Sequence, residues 1–316
     1  MKRKEFLKTI AATGAVATVG GFMRNVDLSV LAQEKDAPAK DVPCDLVAVM
    51  GGEPDVMFRK AIAEFGGMKE FVKPGQKVVI KPNIGWDRAP EFAANTNPVL
   101  VSEMVKQCLA AGAKEVAVFD HTCDEWRKCY QNSGVEEAVI EAGGKMVPAD
   151  VESYYREVKL PVGSKLKTTK IHGAILDCDV WFNVPILKTH GGANMTIALK
   201  NLMGIVWDRR AFHSIDLQQT IADCCTLQKR AALNIVDAYR VMQANGPKGK
   251  SLEDAVVTKA LFMSRDIVAV DTAAVKFFNQ VKEMPLSNVA HIAKASEHKL
   301  GTMNLESLNV KRIRVA

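Results

Sequence analysis

Lys77-Val78-Val79-Ile80, then Lys81-Pro82-Asn83-Ile84-Gly85, then Asn97-Pro98 running to Ala111-Gly112, then Glu115-Val116-Ala117-Val118-Phe119: the fold is decided by this stretch. Two short β-branched runs flank a segment with Val101, Met104, Val105 and Cys108 at helical spacing. Proline at the start and glycine just past the end are the ordinary punctuation of a helix. The unit therefore reads strand, polar loop, helix, strand.

The same alternation continues in both directions. Asp45–Met50 reads as a strand and Pro54–Phe65 as a helix upstream. Downstream come helix Val135–Ala142, strand Lys145–Pro148, a charged irregular insert at 151–170 that suits a short hairpin, and a short helix Ile171–Leu176. Val180–Ile186 is an apolar strand, Ile215–Leu227 a helix and Ala231–Val236 a strand. Val256–Met263 then reads as a strand, Ile267–Val281 and Ile292–Leu300 as helices, and Asn309–Val315 as a basic strand-like tail. Strands alternating with helices predict an α/β fold: a mostly parallel sheet with helices on both faces, one domain over residues 43–316 with an inserted irregular subregion.

In an open sheet of this kind a ligand sits outside the carboxyl ends of the strands. The polar residues that follow each strand are Lys81 and Asn83, then Asp120-His121-Thr122, then Lys188-Thr189-His190-Gly191-Gly192, then Asp237, with Asn245-Gly246-Pro247-Lys248-Gly249 beyond it. Lys200-Asn201, and His213 ahead of a helix, complete the set. Lysines and asparagines at strand ends suit an anion whose oxygens accept their hydrogens. Lys81, Asn83, Asp120, Lys188, Lys200, Asn201 and Gly246 are therefore expected to bind substrate, and His190, His213 and Asp237 to carry proton chemistry. Nearby lysines should lower the pKa of both histidines and leave a neutral base, which is equally the form that binds a metal. Taken singly, each residue has a plainer reading: a solvated turn lysine, a tight-turn glycine, or a charged helix end. His121, His172, His291 and His298 read as surface or core histidines. No phosphate loop, Gly-x-Gly-x-x-Gly, nucleophile elbow or His-Glu-x-x-His occurs.

The amino terminus has a different character. Met1-Lys2-Arg3-Lys4-Glu5-Phe6-Leu7-Lys8 is basic, and a small-residue apolar run follows from Thr9 to Met23. This is the layout of an export signal. Arg3-Lys4-x-Phe6-Leu7-Lys8 resembles a twin-arginine signal with lysine in the second position, which makes the twin-arginine translocation machinery an expected partner. Val30-Leu31-Ala32 offers a cleavage site, so residues 1–32 are read as signal and 33–42 as a polar linker. A general secretory signal or an uncleaved anchor also fits. The apolar run is about 15 residues where a span needs roughly 20, so no stable membrane span is expected after cleavage, and the expected destination is the periplasm or another exported location. Residues 1–32 carry five basic and two acidic side chains, so the remaining 284 residues hold +3 of the chain's net +6. Such a charge gives no bulk field for nucleic acid. Seven cysteines, none in a two-residue pair spacing, make an iron–sulfur cluster improbable, while a metal or organic cofactor is left open. Cys123 and Cys129 are the pair an oxidising compartment could bridge.

The ordered set Val79-Ile80-Lys81-Pro82-Asn83, Thr96-Asn97-Pro98 before a helix ending Ala111-Gly112-Ala113, Asp179 with Asn183-Val184-Pro185-Ile186-Leu187-Lys188-Thr189-His190, Leu199-Lys200-Asn201-Leu202-Met203-Gly204, His213, Ile235-Val236-Asp237-Ala238, Gly246-Pro247-x-Gly249 and Asp266-x-Val268-Ala269-Val270-Asp271 resembles domain-of-unknown-function family 362. Many members carry a ferredoxin-type cysteine-rich segment, which this sequence lacks. The pattern is also distantly similar to the nickel-pincer lactate racemase group, which acts on 2-hydroxy acids. Three functions compete: an exported enzyme acting on a small anionic molecule, a periplasmic ligand- or cofactor-binding or maturation protein, and a redox partner.

Overall fold

Why each run becomes a strand or helix is visible in which face it buries. The computed structural model describes residues 26–31 and 43–315. Most of the expected export signal and all of the expected linker lie outside them. The first unit is strand β1 (Leu46–Met50), helix α1 (Pro54–Ala63), strand β2 (Lys77–Pro82), helix α2 (Pro98–Ala110) and strand β3 (Glu115–Val118). Asn97 caps α2 by accepting the Val99 N–H, and Gly112 leaves it at φ +100°. Helices α3 (Trp126–Asn132) and α4 (Val135–Glu141) lead to β4 (Lys145–Met146).

The insert forms a separate antiparallel hairpin, β5 (Tyr155–Lys159) with β6 (Thr168–His172), followed by α5 (Gly173–Asp177). Next come β7 (Val180–Val184), β8 (Ile186–His190), β9 (Asn194–Thr196), α6 (Ala198–Asn201), α7 (Arg210–Ile215) and α8 (Leu217–Cys224). The chain closes with β10 (Leu233–Met242), β11 (Ala255–Ser264), α9 (Ile267–Phe278), α10 (Ala290–Glu297) and β12 (Val310–Arg314).

The main sheet runs β12-β1-β11-β10-β7-β2-β3-β4, with β8 paired to β10 and β9 paired to β8. Only β11 and β9 run against the rest, so the sheet is mixed but mostly parallel. Side-chain alternation divides the core between two faces. Val78 and Ile80 of β2 join α1, α2 and α4 on one side, whereas Val79 faces α6, α8 and α9 on the other. Because β2 leads to β3 on one side while β7 lies on its other side, strand order reverses at the β2–β7 junction. In such sheets the crevice opens at that reversal.

Four local readings give way to the structure. Pro185 ends β7, and a second strand, β8, starts directly after it and carries Lys188, Thr189 and His190 as strand residues. Proline removes a donor, yet the chain re-pairs at once with β10. The strand expected to end at Val236 continues to Met242, so Asp237 sits mid-strand. The helix expected at Ile215–Leu227 is split at Asp216, whose extended backbone and side chain cap α8 through the Gln219 N–H at 3.1 Å. Finally, β6 runs to His172, so the short helix begins at Gly173.

Residues 26–31, assigned by sequence to the end of the export signal, are part of the fold. Val26, Leu28 and Leu31 are buried in the main core, and Asp27 exchanges hydrogen bonds with the Gln280 side chain. No helix among the described residues is long and apolar enough to cross a membrane.

Candidate active site

Lys81 ends β2 on the face that meets α6 and is fully buried. Its ammonium donates to the Asn201 backbone oxygen at 2.7 Å and to Asn201 Oδ1 at 2.8 Å, and forms an ion pair with Asp120 Oδ1 at 2.9 Å. Burial pushes its pKa down and Asp120 opposes that shift. Asp120 also accepts the Ile84 N–H at 2.7 Å, tying the loop after β2 to the end of β3. A Cβ on Gly204 would lie 1.9 Å from Asp120 Oδ1 and 2.4 Å from Lys81 Nζ, so only glycine leaves room for this ion pair.

A ladder of amides extends from that pair. Asn83 Nδ2 donates to Asn201 Oδ1 at 3.0 Å, and Asn201 Nδ2 donates to Asn183 Oδ1 at 2.8 Å. Asn183 in turn donates to the Ala198 oxygen and to Asn234 Oδ1, each at 3.0 Å. The ladder fixes α6, whose first N–H groups are held by Asp271 of α9: Ala198 donates to Oδ1 at 2.7 Å and Leu199 to Oδ2 at 2.9 Å.

Lys188, 1% exposed on β8, donates to Asn83 Oδ1 at 3.0 Å and to the Ala94 carbonyl, and pairs with no carboxylate. Burial, with the charge of Lys200 adding to it, lowers its pKa to about 7. Lys200 is half-buried on α6, and its Nζ has no hydrogen-bond or ion-pair partner among the described residues. Burial, reinforced by Arg209 and Lys81, lowers its pKa to about 8. Arg209 donates to the carbonyls of His121 at 2.7 Å and Thr122 at 2.6 Å, and approaches Cys123 Sγ at 3.3 Å.

These groups line one cleft of about 320 Å³. Of the residues expected from sequence, Lys81, Asn83, Asp120, Lys188, His190, Lys200, Asn201 and His213 line it. Asp237 and Gly246 do not. Asp237 is buried with its oxygens accepting the Asn97 N–H at 2.8 Å and the Tyr239 N–H at 2.9 Å; burial raises its pKa to about 6. It fastens α2 to β10. Gly246 packs on β8, where an added Cβ would stand 1.8 Å from the Thr189 oxygen, and its cis-linked neighbour Pro247 reaches the cleft instead.

The three cleft histidines are chemically distinct. His190 Nδ1 accepts two backbone N–H groups, from Gly192 and Ala193, each at 3.1 Å. In the neutral ring the proton must then sit on Nε2. Burial, with Lys200 and Lys188 adding to it, lowers the His190 pKa to about 3, so the ring is a neutral donor rather than the base expected from sequence. His121 has the opposite tautomer. Its Nδ1–H donates to the Val206 oxygen at 2.7 Å, leaving Nε2 as a bare lone pair, and its ring stacks on Trp207 at 5.2 Å. Burial first and Arg209 second lower its pKa. His213, exposed, has its pKa lowered by burial, Lys200 and Arg209.

His121, Cys123, Arg209 and Trp86 were not selected by sequence. His121 stood in the quoted Asp120-His121-Thr122 run and differed from the other plain histidines only in following a strand. Arg209 lies four residues before His213, a closeness that was the available signal. The remaining histidines fit their structural reading: His172 stacks on Phe119 at 4.3 Å, His291 meets Gln218 Oε1 at 2.7 Å, and His298 pairs with Asp223 at 2.7 Å.

The donor set does not suit a metal ion. The free nitrogen of His190 carries a proton, and the remaining lone pairs face several cations. No cluster of three His, Cys, Asp or Glu side chains disposed around a metal position exists among the described residues. Cys123 is exposed and Cys129 buried, and the two are unbridged.

The family model for the domain of unknown function DUF362 matches residues 78–276, and the chain belongs to that family. A thylakoid-associated protein of Synechocystis sp. is 28% identical over 155 residues, 47% of this chain and 44% of that protein, so the match spans less than half of the relative's length. Among solved structures, the chain is similar to the lactate racemase apoprotein of Thermoanaerobacterium thermosaccharolyticum. That match has 13% identity and a TM-score of 0.45, covering 72% of this chain and 55% of that one. A Thermotoga maritima protein is similar at 12% identity and a TM-score of 0.34, covering 55% and 41%.

Proposed function

We propose that this member of the DUF362 family is an enzyme that holds a small dianion at the carboxyl edge of its sheet. The observation that carries the reading is a charge imbalance: Lys81, Lys188, Lys200 and Arg209 line the cleft against a single carboxylate, Asp120. Lys81 is neutralised by Asp120, so Lys188, Lys200 and Arg209 are left to meet the ligand, with His190 Nε2–H as a neutral donor. Unpaired charges in a partly dry site strain the unliganded protein, and an anion relieves that strain. His121 Nε2 is the lone pair fit to take a proton, and His213, whose ring has no hydrogen-bond partner among the described residues, is placed to pass it to solvent. Asn83 and Asn201 aim the lysines. Pure ligand holding explains the cations equally well, but not a bare imidazole nitrogen beside them.

The test is a thermal-unfolding panel of the full chain with sulfate, malonate, chloride and acetate. Sulfate and malonate raise Tm, the monoanions do not at equal ionic strength, and Lys188→Met removes the response. Equal shifts from all four anions would mean simple screening and no site.

We further propose that the protein works outside the cytoplasm after twin-arginine-type export. Its basic start and small-residue apolar run support this, and so does the thylakoid association of the Synechocystis relative. A cut after Ala32 would strip Val26, Leu28 and Leu31 from the core, so the mature terminus is informative. Amino-terminal sequencing of exported protein beginning at Gln33 supports processing there, and intact Met1 on cytoplasmic protein contradicts export.

A further inference from the structure

The three cleft lysines differ in how much of their hydrogen-bonding capacity is already used. Lys81 has two hydrogen-bond acceptors on Asn201 and an ion pair with Asp120, which favour its ammonium form. Lys188 has two acceptors and shows only 1% exposure where it lines the cleft. Lys200 has none among the described residues, is half-buried, and lines the cleft with its Nζ beside Lys81 and Arg209. Its helix is clamped from both ends, by Asp271 on the Ala198 and Leu199 N–H groups and by the Asn201 amide ladder. An amine that is accessible, unpartnered, rigidly mounted and crowded by like charge is the arrangement that turns a lysine into a nucleophile toward carbonyl carbon.

We infer that Lys200 is a carbonyl-condensing amine, and that the cleft takes a small anion carrying an aldehyde or ketone group. This deepens the proposed function and rests on the anion-binding reading. In the reaction the Lys200 lone pair forms a bond to the carbonyl carbon, and the carbonyl π electrons move to oxygen. His121 Nε2 takes one N–H proton and delivers it to the oxygen, giving a neutral carbinolamine, and then carries the second N–H proton to the hydroxyl in the same way. Loss of that hydroxyl as water leaves the C=N bond, so one carbonyl compound and one amine give one imine and one water. No oxidant or reductant is required. The anionic group of the same molecule meets Lys188 and Arg209. Lowering of the Lys200 pKa to about 8, with burial as the first cause, supplies neutral amine near neutrality.

The inference is tested on the full chain with two probes, glyoxylate, a 2-oxo acid, and pyridoxal 5′-phosphate, an aldehyde phosphate, each trapped with cyanoborohydride and mapped by peptide mass. At pH 7.5 Lys200 is expected to be modified roughly a hundredfold faster than an ordinary surface lysine. Sulfate should slow the reaction by competition, and Lys200→Arg, which keeps the charge, should abolish it. Preference for glyoxylate would assign a carboxylate-bearing carbonyl substrate, and preference for the phosphate probe a phosphorylated one. Labelling spread evenly over surface lysines, or unchanged in Lys200→Arg, overturns the inference. Sulfate titration of the same preparation separates the two levels: binding without Lys200 labelling removes the imine and leaves the anion cleft, whereas absence of both removes the cleft reading too.

Discussion

Asp271 lies in α9 with no exposure, and its two oxygens accept the Ala198 and Leu199 N–H groups that open α6. Lys188 lies on β8 with 1% exposure, donates to one amide oxygen and one carbonyl, and meets no carboxylate. Burial shifts both in the direction of neutrality, Asp271 up to about 8 and Lys188 down to about 7. What differs is what surrounds them. Backbone donors enclose Asp271 and no cleft reaches it, so its role is complete in the folded chain. Lys188 opens onto a cleft shared with Lys200 and Arg209, where charge of its own sign outnumbers the single carboxylate, Asp120. Burial alone does not identify a functional charge; the sign and supply of its partners do.

The largest effect that would break this comparison comes from Asp271→Ala. Two buried N–H groups lose their acceptor, at about 1–3 kcal/mol each, so urea unfolding should report a loss of about 2–6 kcal/mol. A loss under about 0.5 kcal/mol, the range of an ordinary surface change, would mean that α6 is capped in another way. Next comes the amino-terminal segment. A chain beginning at Gln33 gives up the burial of Val26, Leu28 and Leu31. Burial of about 1.5–3 kcal/mol for each side chain is matched by an ordering cost of about 1–2 kcal/mol per residue, so urea unfolding should report a loss of no more than about 2 kcal/mol. Full stability in that chain would make the seat dispensable.

Lys188→Met sharpens the contrast, because removing a buried cation without a counter-charge should be neutral or stabilising by about 1 kcal/mol. Its pH dependence has a definite sign. The folded pKa of Lys188 lies near 7, below the ordinary lysine value of 10.5. Between those values the unfolded chain holds a proton that the folded chain has shed. Wild-type stability therefore rises relative to the Met variant as pH climbs from about 7 to 10.5, and the gap is constant below that window. A gap independent of pH across the window would mean that Lys188 titrates normally.

Much of this was legible from sequence because strand periodicity and chain punctuation are local. The β2–α2–β3 unit, both helix-bearing faces and the cationic strand ends followed from residue types within a few positions of one another. What was not legible depended on distant partners. Asp237 looked like a strand-end acid until β10 proved longer, and its oxygens were taken by Asn97 and Tyr239. Choosing His121 over His190 as the base needs the Val206 carbonyl and the Gly192 and Ala193 N–H groups, that is, the tautomers. Arg209 joins the cleft only because the His121 and Thr122 carbonyls, 88 and 87 positions away, receive its guanidinium. Val26–Leu31 is ambiguous for a simpler reason: apolar residues suit an export signal and a core equally.

The most direct measurement is calorimetric titration of the full chain with sulfate at pH 7.5 in two buffers of different ionisation enthalpy. Sulfate stays a dianion throughout, so any proton change belongs to the protein. With Lys188 near 7 and Lys200 near 8, both are part-neutral in the empty cleft. Binding an anion must recharge them. The expected result is proton uptake on binding, with affinity falling as pH rises above 8, and both signals lost in the Lys188→Met, Lys200→Met double variant. Binding with no proton uptake and no pH dependence, or binding retained in the double variant, would contradict a lysine-built anion site.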